Sequence, residues 1–317
     1  MIGGSEGDAI AAAYGLARPG DAVALSGPVA RGQLGRIWRL TVGERSFAVK
    51  EWYAGPRLEE VGRDAGFVDA ARALGVRTPQ VLLTTDGRVA AEVDGTVVRV
   101  FEWVDLRPRT RSLDPAAVGR TVALLHRAAR ATDEPVDNWF ATGAGEQSWR
   151  DLARRVADEK APFAGQLRAL LDDLVAVESV IEPHESPIVC HRDLWADNVR
   201  RTQDGRLCVF DFDNAGLADP SQELAAVLVE YSGSDPARAR AISAAYVDAG
   251  GPGRVERSSD FAMPIAQLGH IVEEGCRRWL VSTTDAERAD NEAWVREIID
   301  RPLTPALIET LLGGSRG

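Results

Sequence analysis

Lysine is nearly missing from this chain. Of its 317 residues 37 are basic, yet only Lys50 and Lys160 are lysines; every other cation is arginine. Such a bias follows coding composition, and it makes a retained lysine a marker for a place that needs a compact ammonium rather than a planar fork. Cysteine is scarce too. Cys190, Cys208 and Cys276 stand far apart with no C-x-x-C pair, which excludes a disulfide framework and a cysteine zinc site and fits a reducing compartment. A positive excess is absent: 48 acidic residues bring the net charge to −11, which disfavours nucleic acid as a partner. No apolar run reaches the roughly 18 residues of a membrane span. The opening stretch carries Glu6 and Asp8 and no basic start, unlike a secretory signal. Internal repeats and low-complexity tracts are also missing. The expectation is a cytoplasmic protein, monomer or homodimer, with no membrane and no nucleic-acid partner.

What is present is an ordinary globular composition, 45% hydrophobic and 27% charged, long enough for two lobes with sizeable cores. Residues 6–17 read as a short helix. From 23 to 104 the pattern is strand-like: "RIWRLTV" alternates, "GE" turns the chain and "SFAVKEW" returns. A helix follows over Arg57 to Leu74, stopped by Gly75; then come strands "VLLTT" and "VAAEV" joined by "DG", and "TVVRVFEWV". Residues 105–114 read as a linker. Beyond it helices are expected from "DPAAVGRTVALLHRAAR" onward, over 148–159, 164–181, 221–232, 236–249, 259–281 and 286–299. A hairpin, "NVRRT-QDG-RLCVFDF", interrupts them. The fold class is therefore α+β, with a small antiparallel-sheet lobe (1–104), a linker (105–114) and a larger, mostly helical lobe (115–317). The space between lobes is where a ligand is expected.

Within that hairpin region sits "HRDLWADNV", followed by "VFDFDNAG". Asn198 precedes one strand and Asp211 ends the next, so a hairpin brings an amide and a carboxylate oxygen to one end. Hard divalent cations such as Mg2+ take such oxygens and share them with phosphates. Asp193 lies close by as a proton acceptor for an attacking hydroxyl, and Lys50 on "FAVK" supplies a cation for phosphates. Together these are the parts of phosphoryl transfer. Each alone has a plainer explanation, a surface lysine or a turn-capping aspartate; their order argues against coincidence.

The motifs carry a resemblance. "HRDLWADN" fits the H-R-D-L-x-x-x-N catalytic loop and "FAVK" resembles the V-A-I-K strand of protein-kinase-like enzymes. "FDFD", with Asp213 where a glycine would stand, and "AGLADPSQELA" look like the aminoglycoside phosphotransferase and choline kinase-like branch. The resemblance covers roughly residues 23 to 282 and implies a two-lobed protein-kinase-like fold, with nucleotide held by the first lobe and catalytic loop and substrate by the second. It implies Asp193 as catalytic base, Asn198 and Asp211 as magnesium ligands, Lys50 as the phosphate-binding lysine and His191 as a brace for the loop. Asp64, or Glu60 one turn earlier, would pair with Lys50. Backbone groups of Glu102 and Val104 would pair with adenine, with Phe101 as an apolar wall. Amides around Arg31 to Gly35, including Gly32 and Gly35, would cover the phosphates, although "GPVARGQLGRIW" is not G-x-G-x-x-G. Asp213 is left between a second metal, a substrate amine and a local role.

Acceptor contacts are expected from Trp195, Asp213 and Asn214, and from His270, Glu273, Glu274 and Trp279 on "AQLGHIVEEGCRRWL". An acidic lining there would favour a cationic acceptor. The implied activity is an ATP- and Mg2+-dependent phosphotransferase acting on a hydroxyl of a small polar molecule, with GTP open as donor. An aminoglycoside or related antibiotic leads; choline, homoserine, sugars and amino sugars are the metabolic alternatives, and a non-catalytic pseudokinase is the non-enzyme one. A haloacid-dehalogenase phosphatase would need a lysine downstream of "DFD", and none follows Lys160. A protein kinase would need an activation segment, which "NAGLADPSQ" leaves no room for. His126 and His184 are expected to be structural.

Overall fold

A computed structural model describes residues 6–32, 34–53, 61–62, 64–129, 135–183 and 186–315. The chain divides into two compact units, one formed by 1–108 with 199–213 and the other by 109–198 with 214–317.

The first unit is built on a five-stranded antiparallel sheet of order β1-β2-β3-β5-β4, from Val23–Arg31, Gly35–Val42, Arg45–Trp52, Thr96–Glu102 and Ala91–Val93 (β1, β2, β3, β5 and β4). The alternation of β2 and β3 sends Leu40, Val42 and Val49 to one face, where they meet Val98, Val100 and the short helix α1 (Gly7–Ala13) in a buried core. Tyr14, just after α1, donates its hydroxyl to the Val98 carbonyl at 2.9 Å. The opposite face presents Lys50, whose partner across the β3–β5 ladder is Arg99. Helix α2 (Ala65–Ala73) is shorter than the expected 57–74; residues 57–60 and 63 of that span lie outside the described residues. "VLLTT" is not a strand. Val81 makes one isolated bridge to Phe101, and beyond it Thr84 closes a tight turn on Arg88, backbone and hydroxyl both bonding that residue. A side chain that satisfies the backbone locally removes it from the ladder. The expected hairpin is present as β7 (Val199–Arg201) and β8 (Leu207–Val209).

The second unit contains α3 (Pro115–Ala128), α4 (Glu146–Asp158), α5 (Ala164–Glu178), α6 (Pro220–Ser232), α7 (Pro236–Asp248), α8 (Ala262–Val281), α9 (Asp285–Ile299) and α10 (Pro305–Ser315). Three of these begin with Asp-Pro, and in each the aspartate caps the first turn: Asp114 accepts from Ala117, Asp219 from Ser221 and Asp235 from Ala237 and Arg238. Helix α10 and a two-stranded pair, β6 (Ile188–Cys190) with β9 (Gly216–Ala218), were not anticipated. One core gathers Trp149, Phe163, Leu167, Val272 and Trp279. A smaller one joins Phe140, Cys190, Ala218, Ala226 and Met263. Among the described residues no helix is long and apolar enough to cross a membrane.

Candidate functional site

In the first unit the centre is Lys50, buried to 7% exposure. Its ammonium lies 2.6 Å from Asp211 Oδ1 and 2.8 Å from Asp213 Oδ2. Burial opposes its charge, but the two carboxylates outweigh burial and raise its pKa above the ordinary lysine value. Asp213 also accepts from the Trp52 indole at 2.9 Å. Asp211 has a left-handed backbone, φ 61, a conformation that costs a non-glycine residue free energy and collects at functional positions. Asp64 is not opposite Lys50. Both its oxygens lie 3.0 Å from Nη1 of Arg99, which the β3–β5 register makes the cross-strand neighbour of Lys50. Burial pushes the Asp64 carboxyl up by more than Arg99 brings it down. Glu60 lies outside the described residues.

Between β1 and β2 the Gly32 amide donates to the Gly35 carbonyl at 2.9 Å. A Cβ on Gly35 would lie 2.2 Å from the Glu51 carbonyl oxygen, so only glycine fits this close approach of β2 to β3. At the end of β5 the Glu102 carboxylate is gripped by Arg77 at 2.6 and 3.0 Å, and the Arg77 pairing holds its carboxyl below the usual glutamate value. Phe101 lies under the Arg99 guanidinium, 5.1 Å from ring centre to Cζ. Val104 is half-buried in the segment just after β5.

In the second unit residues 191–198 form a loop whose side chains are largely interior. Asp193 Oδ2 accepts from Asn198 Nδ2 at 2.9 Å and from Asn214 Nδ2 at 3.1 Å. Asn198 also donates to the Asp193 carbonyl at 3.0 Å. Arg192, φ 62, is nearly buried; its Nε donates to the Asn214 carbonyl at 2.6 Å and its Cζ lies 4.1 Å over the Phe140 ring. His191 is fully buried. Trp195 is half-buried and lines a small cavity with Leu194, Met263 and Gln267.

Helix α6 anchors this loop through two carboxylates that sequence reasoning did not single out. Glu223, 1% exposed, accepts from the backbone amides of His191, at 3.3 Å, and Arg192. Glu230 accepts from the Ala196 amide at 3.0 Å and from Arg111 Nε at 2.8 Å. On α8, His270 donates to the Thr142 carbonyl at 2.8 Å, lies 3.3 Å from Glu273 and stacks on the exposed Trp139 ring. Glu273 is shared with Ser148 and Arg277, Glu274 pairs with Arg278, and Trp279 is core, edge-on to Phe163. His184 lies outside the described residues.

The model of the phosphotransferase enzyme family matches residues 27–257. Viomycin phosphotransferase of Streptomyces vinaceus is 32% identical over 181 residues, 52% of this chain and 62% of that protein. The chain spans 62% of the length of the curated relatives it matches. Among solved structures, spectinomycin phosphotransferase with ADP and spectinomycin superposes with TM-score 0.66 at 13% identity, covering 94% of this chain and 93% of that one. An aminoglycoside phosphotransferase from Alicyclobacillus acidocaldarius superposes with TM-score 0.61 at 18% identity, covering 92% of each. The fold is thus the α+β protein-kinase-like one, and the chain belongs to the phosphotransferase enzyme family.

Proposed function

We propose that this protein transfers the γ-phosphoryl group of ATP, with Mg2+, to a hydroxyl of a small polar acceptor, and that the acceptor is an aminoglycoside or related antibiotic. The observation that carries the reading is the Asp193 carboxylate, one oxygen of which is shared by the amides of Asn198 and Asn214 at 2.9 and 3.1 Å. Two donors on one oxygen stop the carboxylate from rotating, which is what a base needs in order to orient an incoming hydroxyl. As the acceptor oxygen attacks the γ-phosphorus, its proton passes to Asp193 and ADP leaves. Lys50 offers its ammonium to the phosphates. Asp213, bonded to that ammonium and to Trp52, keeps it in position.

The donor chemistry fits magnesium. Asn198 spends its Nδ2 on Asp193, so its carbonyl oxygen is the atom left for a cation, and Asp211 has a second oxygen beyond the one on Lys50. These two residues would hold the ion, which when bound shields the charge of the phosphates. The adenine would pair with backbone groups of Glu102 and Val104 against Phe101. Backbone amides around Arg31 to Gly35 would cover the phosphates, the Gly32 amide itself being engaged by the Gly35 carbonyl, and His191 would brace the loop. Trp195 and Asn214 beside the loop, and Trp139, His270, Glu273 and Glu274 around α8, are the acceptor-side candidates. The similarity to viomycin phosphotransferase favours an antibiotic acceptor over choline or a sugar.

A coupled ADP-release assay with magnesium and ATP or GTP tests this. Its panel holds viomycin, spectinomycin, aminoglycosides, choline, homoserine, sugars and amino sugars, with Asp193→Ala as blank. Stimulation by an antibiotic that vanishes in the variant is expected. Stimulation by choline or a sugar alone would move the acceptor to metabolism, and wild-type turnover in Asp193→Ala would remove the base.

A further inference from the structure

His126 carries no role in the scheme above, yet it is buried within a hydrogen-bonded chain that reaches the loop of Asp193. It lies on α3, seven residues after Gly119. A Cβ on Gly119 would meet the Ile242 carbonyl at 2.2 Å and the Tyr246 amide at 2.9 Å, so glycine there lets α3 and α7 lie backbone to backbone. That approach brings His126, on the same face two turns on, edge-on to the Tyr246 ring. The Tyr246 oxygen accepts the Gly253 amide at 2.9 Å and lies 2.7 Å from His126 Nδ1; His126 Nε2 lies 2.7 Å from Glu223 Oε2. One order of donors satisfies every group: Gly253 N–H to Tyr246, Tyr246 O–H to Nδ1, Nε2–H to Glu223. Glu223 then takes the amides of His191 and Arg192.

The same place admits another reading, because His126, Cys190 and Glu223 bring three ligand-type atoms within 4.8 Å of one another. Both ring nitrogens of His126 are already engaged, and the Cys190 thiol lies 3.5 Å from the Ala218 carbonyl with its pKa pushed up by burial. A metal would need that thiol as thiolate and a nitrogen lone pair, and the network supplies neither.

We propose that His126 is a positioning residue: through Glu223 it sets the two amides at the start of the catalytic loop, and with them the direction in which Asp193 is presented. The inference rests on the phosphotransfer reading for its kinetic consequence and stands apart from it for its structural one. The ionised Glu223 carboxylate is almost fully buried, and the Nε2–H of His126 is the donor that, opposite the two loop amides, holds its orientation. Without the imidazole it can turn, and the left-handed Arg192 between the two amides and Asp193 turns with it. A displacement of about 1 Å at a reacting group costs up to ~100-fold in rate.

Three variants test the proposal: His126→Phe, which removes both nitrogens; His126→Gln, whose amide reaches the place of Nε2–H; and Tyr246→Phe, which removes only the hydroxyl. With wild-type turnover in hand, His126→Phe should lose on the order of 10- to 100-fold in kcat while KM for nucleotide and acceptor stays near wild type, and His126→Gln should recover most of the loss. Hydrogen exchange of the 188–196 segment supplies a readout that needs no turnover. The His191 and Arg192 amides should exchange faster in His126→Phe and Tyr246→Phe and return toward wild type in His126→Gln. Unchanged exchange and kcat in His126→Phe overturn the proposal, as does equal loss in His126→Phe and His126→Gln. So does a stoichiometric metal in the purified protein that His126→Gln removes. If no acceptor stimulates the wild type, the phosphotransfer reading fails, and the exchange experiment still decides the role of His126.

Discussion

Asp64 discriminates between two wirings of the first unit. If it served Lys50, removing it would act on the ammonium. In this structure it serves Arg99, which is 1% exposed and has both Asp64 oxygens at 3.0 Å from one nitrogen. Asp64→Leu would leave a guanidinium buried and unneutralised, and breaking a buried pair from one side costs about 3–5 kcal/mol. Burial holds the Asp64 carboxyl's pKa above its ordinary value despite Arg99, and a buried ion pair replaced whole by apolar residues is often neutral in stability. Replacing both partners with apolar residues of similar volume, Asp64→Leu with Arg99→Met, should therefore recover most of the loss. Urea unfolding of the single and double variants gives the cycle. The Asp64–Arg99 coupling should reach about 3 kcal/mol or more, at least the upper end for contacting residues, and the Asp64–Lys50 coupling should be clearly smaller. A larger coupling to Lys50 than to Arg99 would refute the wiring described here.

Asp211→Ala should weaken magnesium–nucleotide binding, read by calorimetry, whereas Asp193→Ala should leave that binding near wild type and lower turnover by roughly 10²–10⁴-fold. Gly216→Ala would put a methyl 2.5 Å from Nη2 and 2.6 Å from Cζ of Arg192, displacing a guanidinium packed on Phe140 and bonded to Asn214; a fall in kcat of on the order of tenfold or more is expected from the disturbed loop. Glu102, held below the ordinary glutamate pKa first by its bonds to Arg77, favours the folded state above that ordinary value, and the contribution fades as pH falls through the lowered one. Arg77→Met should flatten this acid limb in pH-dependent melts; an unchanged limb would assign acid lability elsewhere.

Much of this was legible in the residues. Strict alternation around Gly43 foretold the β2–β3 hairpin with Lys50 on it, and the Asp114-Pro115 pair foretold the start of α3. The H-R-D-x-x-x-x-N spacing singled out both Asp193 and Asn198, though not the hydrogen bond between them. What stayed hidden depends on register and on side chains that act at a distance in sequence. Arg99 is one arginine among many, and nothing marks it until the β3–β5 ladder sets it beside Lys50. "VLLTT" has strand composition, but the hydroxyl of Thr84 bonds Arg88 and ends the pairing. The pair β6–β9 is too short, and too uniformly apolar, to show a period. Glu223 and Glu230 sit on a helix rich in apolar residues, where a carboxylate looks like a surface residue until the loop it bonds is in view. His126 sits on an apolar helix, and its partners, Tyr246 and Glu223, lie about a hundred residues or more away along the chain, so the residues around it do not disclose them.

The most direct test of the central claim is transfer of label from [γ-32P]ATP to the acceptor that stimulates ADP release, with the product located by mass spectrometry. The account predicts one added phosphoryl group on an acceptor hydroxyl in the wild type and none above background in Asp193→Ala. Label released only as inorganic phosphate, or equal transfer by Asp193→Ala, would contradict it.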